Sequence, residues 1–154
     1  RARLVTRVEL HGDARFIGWE ITCFGRPACN EAFTGGRADL AFELRCDGKP
    51  LLLDRLRVDG DSPAGGAGLR GHAVSATLLA CGGSAETMRA ALDAAREIDP
   101  GAALGGITLV GRVLVCRALA AHAAPVRAWF ERLWALLRPL LLERPACAPR
   151  IWAT

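Results

Sequence analysis

The chain has 154 residues, half of them hydrophobic, which suits one domain with a single sizeable core and excludes a disordered segment. Its formal net charge is +4, from 20 basic and 16 acidic side chains spread along the sequence rather than clustered. A nucleic-acid-binding face would need a basic cluster, and a membrane span about 20 apolar residues in a row. Neither pattern occurs, and the most apolar stretch, around Leu133 to Leu142, is broken by Arg138 and Pro139.

The first half reads as strands. "RLVTRVEL" alternates through Leu4 (or Val5), Val8 and Leu10, a turn follows at residues 11–14, and "RFIGWEITCF" resumes with Ile17, Trp19, Ile21 and Cys23 on its apolar face. "FGRPACNEAF", residues 24–33, is a Gly/Pro loop whose ends are anchored by Phe24 and Phe33 and whose Arg26 and Glu31 pair or cap the backbone. "RADLAFELR" then places Leu40, Phe42 and Leu44 on one face. Asp47-Gly48 joins it to "PLLLDRLRV", and Asp-Gly between two alternating runs predicts a β-hairpin.

Residues 59–71 are a loop by composition, and "HAVSATLLA" is the next strand, opened by His72. Ser84 is placed to cap a small-faced, weakly amphipathic helix over about 84–97, with Glu86 in its first turn. "GGITLVGRVLVCRAL" returns to strand, with Gly111 marking a bulge or bend. The second helix spans about 125–138. Pro125 suits its first position, and Val126, Trp129, Phe130, Leu133, Leu137, Leu140 and Leu141 recur at helical spacing. Arg127, Glu131 and Arg138 face away, the Trp129/Trp134 pair reads as core, and Pro139 kinks or ends the helix. An Arg/Pro-rich tail finishes in extended form with Trp152 in an apolar groove. The architecture is mainly β, with stacked strands of β-helix-like or sandwich type and two α-helices. Residues 1–154 form a single domain without βαβ alternation, and the glycine clusters lack a phosphate-binding fingerprint.

Six cysteines stand at 23, 29, 46, 81, 116 and 147, and the C-x5-C spacing of the first two fits neither a zinc finger nor a redox pair. Most of the others sit in apolar runs, as small buried hydrophobes in a reduced, cytoplasmic chain do. Two chemistries remain for the 24–33 loop. Cys29 with His72 would make a cysteine-dependent hydrolase, since a thiol needs a base to form thiolate. Cys29 and Glu31, two apart, would with a histidine make a mixed S/O/N set suited to nickel or zinc. The third reading is a shaped turn, which the loop's own residues favour.

Taken together, "WEITCFGRPACNEAF", "DGKPLLLDRLRVDG", "GGITLVGRVLV" and "AWFERLWALLRPLLLERPACAPRIWAT" resemble the C-terminal half of the urease accessory protein UreD (UreH) family. The resemblance runs from about Arg3 to Thr154, in order. The loop commonly reads Ser-Gly where this chain has Cys29-Asn30, a change Asn tolerates because it accepts left-handed backbone. Glu143-Arg144 replaces a common Gly-Arg, which leaves the last helix ending less sharply. Family members are nearly twice as long, so the start on Arg1 fits the C-terminal portion of a longer chain. The resemblance implies a non-enzymatic scaffold that binds the urease apoprotein and recruits UreF and, through it, the GTPase UreG. It also implies a β-rich stack with two helices and a water-filled passage for Ni2+, with no tightly bound cofactor. On that reading Cys29 and Glu31 are candidates for transient nickel contact. Trp152, Arg138, Arg144 and Arg150 are candidates for partner binding, with docking of the tail on its own sheet as the other reading. A β-rich binding domain with a different partner is the remaining reading.

Overall fold

The computed structural model describes residues 1–60 and 68–153. β1 (Ala2–Leu10) turns into β2 (Phe16–Cys23), and two short strands follow, β3 (Gly25–Arg26) and β4 (Glu31–Ala32). Next come β5 (Arg37–Cys46), β6 (Lys49–Asp59), β7 (Val74–Cys81) and α1 (Ala85–Arg96). β8 (Leu104–Val110), β9 (Val113–Ala120) and α2 (Ala123–Leu142) complete the order. The loop expected over 59–71 falls largely on residues 61–67, outside the described residues.

The strands form a three-stranded sheet β1-β5-β6, a four-stranded sheet β2-β7-β9-β8 and the small pair β3-β4. β1 runs parallel to β5, and the other pairings are antiparallel. Strand periodicity assigns the layers. On β7 and β9 the even-numbered residues, such as Leu78, Ala80, Leu114 and Cys116, lie in one cluster with Met88, Trp129, Phe130 and Leu137 of the helices. The odd-numbered Leu79, Cys81, Val113 and Val115 join Leu10, Phe42, Leu44 and Cys46 of the other sheet. The fold is therefore mainly β, open rather than closed into a barrel, with a sheet-on-sheet sandwich backed by two helices. Of the two arrangements left open by the sequence, the sandwich is the one formed.

The two long hairpins, β5–β6 and β8–β9, turn in two residues. Cys46 pairs with Lys49 around Asp47 (φ 50°) and Gly48 (φ 73°), the two left-handed central residues that the tightest hairpin turn requires. Val110 pairs with Val113 around Gly111 (φ 58°) and Arg112, so Gly111 makes a hairpin turn and not a bulge. α1 has the predicted cap, with Ser84 Oγ accepting from the Thr87 amide at 3.1 Å. Its amphipathicity is clearer than the sequence suggested, because Met88, Ala91 and Ala95 are fully buried on one side. His72 precedes β7 in a turn rather than opening the strand.

α2 departs most from expectation. It starts two residues early, so Pro125 is third rather than first, and it runs through Pro139 to Leu142. A proline inside a helix costs about 3 kcal/mol. Burial of Leu137 before it and Leu141 beyond it contributes about 1.5–3 kcal/mol each, which offsets that cost. Ala135, whose carbonyl loses its partner, is exposed and open to water. The end is also sharp: Glu143 takes left-handed backbone (φ 52°), and Arg15 donates to the Leu141 carbonyl at 2.9 Å and to Glu143 at 2.8 Å. Trp129 and Trp134 are both buried, as their reading as core expects, whereas Leu140, placed on the apolar face by its spacing, is 42% exposed.

α2 is locked to the α1–β8 connection by Trp129 Nε1, which donates to the Ile98 carbonyl at 3.0 Å. A Cβ on Gly105 would lie 2.7 Å from that fixed ring, whereas one on the neighbouring Gly106 would meet nothing. Gly105→Ala is expected to destabilise the chain by about 1–3 kcal/mol, and Gly106→Ala to stay within about 0.5 kcal/mol. Urea unfolding midpoints of the two variants check this, and equal midpoints would sink it.

Candidate functional site

The 24–33 loop is a miniature hairpin. β3 and β4 pair across a 3-10 turn at Pro27–Cys29, closed by Asn30 in left-handed backbone (φ 56°). Gly25 (φ 82°) is required, since a Cβ there would lie 2.3 Å from the Glu31 carbonyl oxygen. Phe24 is buried and meets Phe33 edge-on at 5.9 Å. Arg26 clamps Glu31 through two bonds of 2.7 and 2.5 Å. Glu31 thus already has a cationic partner, while the Cys29 thiol is exposed on the turn. Among the described residues no hydrogen bond joins Cys29 to His72, and no three of His, Cys, Asp and Glu converge as a metal-binding group.

A second polar feature crosses the sandwich itself. Thr6, Phe42 and Asp54 share one rung of the three-stranded sheet, and Glu20, Thr77 and Arg117 one rung of the other. The two rungs meet. Thr6 hydrogen-bonds Glu20 from sheet to sheet, and Arg117 donates to Asp54 at 2.7 Å. The Asp54 side chain retains only 14% of its exposure. The belt lies between an apolar cluster at Leu44 and Leu79 and another at Phe24, Ala38, Val58 and Leu69. A cavity of about 30 Å3 adjoins it, lined by Glu20, Thr22, Asp54, Ser75 and Thr77 beside Phe42, which is room for about one water-sized guest. Two carboxylates face one guanidinium, so the belt favours a cation.

No single strand pattern singles out this belt. Its signal was present in the polar alternates of apolar runs: Glu20 and Thr22 in "GWEITC", Asp54 in "LLLDRL" and Arg117 in "LVCRAL". Each looks like an ordinary outward-facing residue until the second sheet covers that face.

The tail returns along α2 and is docked on its own chain. Trp152 lies between Trp19 of β2, 5.3 Å away, and Trp134 of α2, 4.9 Å away. Arg127 donates to the Trp152 carbonyl and Arg138 to that of Pro145, both at 3.0 Å. Arg138 also sits 5.1 Å from the Trp134 ring, so it does not simply face away. The tail ends in a 3-10 turn, Arg150–Ala153, rather than fully extended. Arg144 and Arg150 are exposed and make no ion pair among the described residues.

A family profile described as "UreD urease accessory protein" matches residues 1–153. The chain belongs to the UreD family. Among its relatives, the urease accessory protein UreD of Alcanivorax borkumensis is 41% identical over all of this chain and 52% of that protein. The UreD proteins of Azoarcus sp. (45%, over 98% of this chain) and Pseudomonas aeruginosa (44%, over all of it) are similar over 53% and 55% of their own lengths. This UreD-family chain therefore spans about half the length of the curated relatives it matches.

Its thiols fall into two groups, Cys23, Cys29 and Cys147 exposed and Cys46, Cys81 and Cys116 buried. Burial pushes Cys116 up to about 12 and raises Cys81 as well, Cys81 against the opposing pull of Arg112. Iodoacetamide on the native chain is expected to label the three exposed thiols and spare the other three up to pH 10, as read by peptide mass spectrometry. Because the folded chain holds the Cys116 proton longer than the unfolded one, this residue's stabilisation is intact below pH 9 and lost as pH climbs toward 12. Labelling of Cys116 in folded protein would contradict the packing described.

Proposed function

We propose that this chain is part of a non-enzymatic, cytoplasmic maturation scaffold that binds apo-urease and passes Ni2+ toward its active site. UreF and, through it, the GTPase UreG are its partners in that reading. The observation that carries it is the family match along residues 1–153. What supports a path for the cation is the chemistry of the polar belt. Ni2+ accepts carboxylate and hydroxyl oxygens, and Glu20, bonded among the described residues to the Thr6 hydroxyl and to no cation, is the belt's uncompensated charge. Asp54 is held by Arg117, so its carboxylate would be shared with a passing cation. Cys29 and Glu31 remain candidates for a brief contact at the surface, with the Arg26 clamp weakening the claim of Glu31.

The test is co-expression of the tagged full-length reading frame with the cognate urease subunits and UreF. Urease and UreF are expected to be retained by the unaltered protein and by Glu20→Gln alike. Urease matured with Glu20→Gln is expected to carry about tenfold less nickel, by elemental analysis, because a ligand and not a contact surface has been removed. Failure of the unaltered protein to retain urease would overturn the scaffold. Normal nickel content with Glu20→Gln would remove the belt from the path.

A further inference from the structure

The outer face of the three-stranded sheet gathers charge that the sequence scatters. Side chains alternate along a strand, and Val8, Phe42, Leu44 and Val58 point into the sandwich, so the odd-numbered residues of β1, β5 and most of β6 point out. Seven of the nine arginines before residue 60, all but Arg15 and Arg26, stand on this face with Glu9, Asp39, Glu43 and Asp59. Composition sets how many arginines a chain has, not where they stand. Asp39 and Glu43 lie low, 17% exposed, beneath Arg1, Arg7 and Arg57, which are 67% to 71% exposed. Over the middle of the face the outermost charge is therefore guanidinium.

Arg3 and Arg55 differ from these three. Among the described residues neither has a hydrogen bond or an ion pair. They stand on either side of Ala41, whose small side chain leaves the groove of about 410 Å3 that both line. We propose that this face is a docking surface for an acidic segment of a partner protein, with Arg3 and Arg55 as the two forks that take its carboxylates. A guanidinium fork matches a carboxylate through two parallel bonds. With neighbouring strands about 4.8 Å apart, β1 and β6 are about 10 Å apart, within reach of two acidic side chains on one extended segment. Exposed Val5 and Leu53 flank the groove, and arginine beside apolar surface is the composition of a protein interface. A phosphate backbone fits less well, since Asp39 and Glu43 interrupt the positive field and β1, β5 and β6 turn no aromatic ring outward for a base to stack on. The face lies on the opposite side of its sheet from the polar belt, so the inference is separate from the nickel path.

The probe is a fluorescein-labelled acidic peptide, EEDLEE, titrated by anisotropy into the full-length protein at low salt, with QQNLQQ as its uncharged control. The acidic peptide is expected to bind saturably and the control not at all. Arg3→Gln and Arg55→Gln together should weaken binding by about tenfold or more. Arg89→Gln and Arg112→Gln together, which remove the same charge from other surfaces, should change it by less than about twofold. Equal weakening by both pairs, or no saturable binding to the unaltered protein, overturns the docking surface. Phenylglyoxal labelling, read by peptide mass spectrometry, needs no variant: Arg3 and Arg55 are expected to react in the free protein and to be shielded by the acidic peptide. Arginines that stay unlabelled in the free, folded protein would mean that the rest of its own polypeptide covers the face, and would sink the proposal. A 20-nucleotide single strand that binds more tightly than the peptide and displaces it would hand the face to nucleic acid instead.

Discussion

The β7–β9 pair is the constraint on which the remaining structure depends, because both of its faces are buried. A strand with one wet face alternates apolar and polar residues; these two do not, and "VSATLLAC" and "VLVCRALA" read as almost continuous apolar runs. One face must therefore find a sheet and the other a helical layer. The helix-facing positions are uneven in size: Ala76, Ala80, Ala118 and Ala120 leave hollows, and Trp129, Phe130 and Met88 fill them. Gly105 extends the same logic to β8, where the absent side chain is the space occupied by the indole of Trp129. One carbonyl of β8, that of Ile107, is capped by Arg96 of α1.

The opposite face follows a different rule. Between the sheets, apolar packing is interrupted at one level by Thr6, Glu20, Asp54 and Arg117. The belt is part-buried, with the Arg117 side chain 56% exposed, so water shares in satisfying it and each bond adds modestly to stability. Its bonded partners come from opposite sheets, so the belt also fixes how the sheets lie on each other. The outer face of the three-stranded sheet uses the same residue types in the open. There Arg57 and Arg1 flank Asp39, whose carboxyl is held below the usual range chiefly by the Arg57 hydrogen bond, in the wall of an open groove of about 410 Å3. Exposed pairs of this sort contribute little to stability.

Local signals made the secondary structure legible. Asp47-Gly48 announced its hairpin, Ser84 its helix and the spacing from Val126 to Leu141 the second helix, because each rests on chemistry within a few residues. The misses share a cause. Pro139 stays helical because leucines around it are buried by strands far away in sequence, and Arg15 closes the helix from a turn 126 positions earlier. The 24–33 loop is legible as a shaped turn, down to Asn30 standing in for glycine, since the turn is closed by its own residues, whereas the anchoring of Phe24 against Ala73, Val58 and Leu69 is not. The belt was not read, because which face of a strand is covered depends on a second sheet whose position no single stretch encodes.

The parallel pairing of β1 with β5 carries a consequence for the order of assembly. Each two-residue hairpin closes a loop with little loss of chain entropy, whereas β1 meets β5 only after β2, β3 and β4 have been carried past it. The hairpins are thus competent to form first, and β1 is recruited to an existing strand edge. Until that moment β5 presents an unpaired ladder of amides and carbonyls, and the emerging chain is most vulnerable to pairing with the wrong neighbour. A chain built this way is protected less by its final stability than by how quickly its first strand arrives.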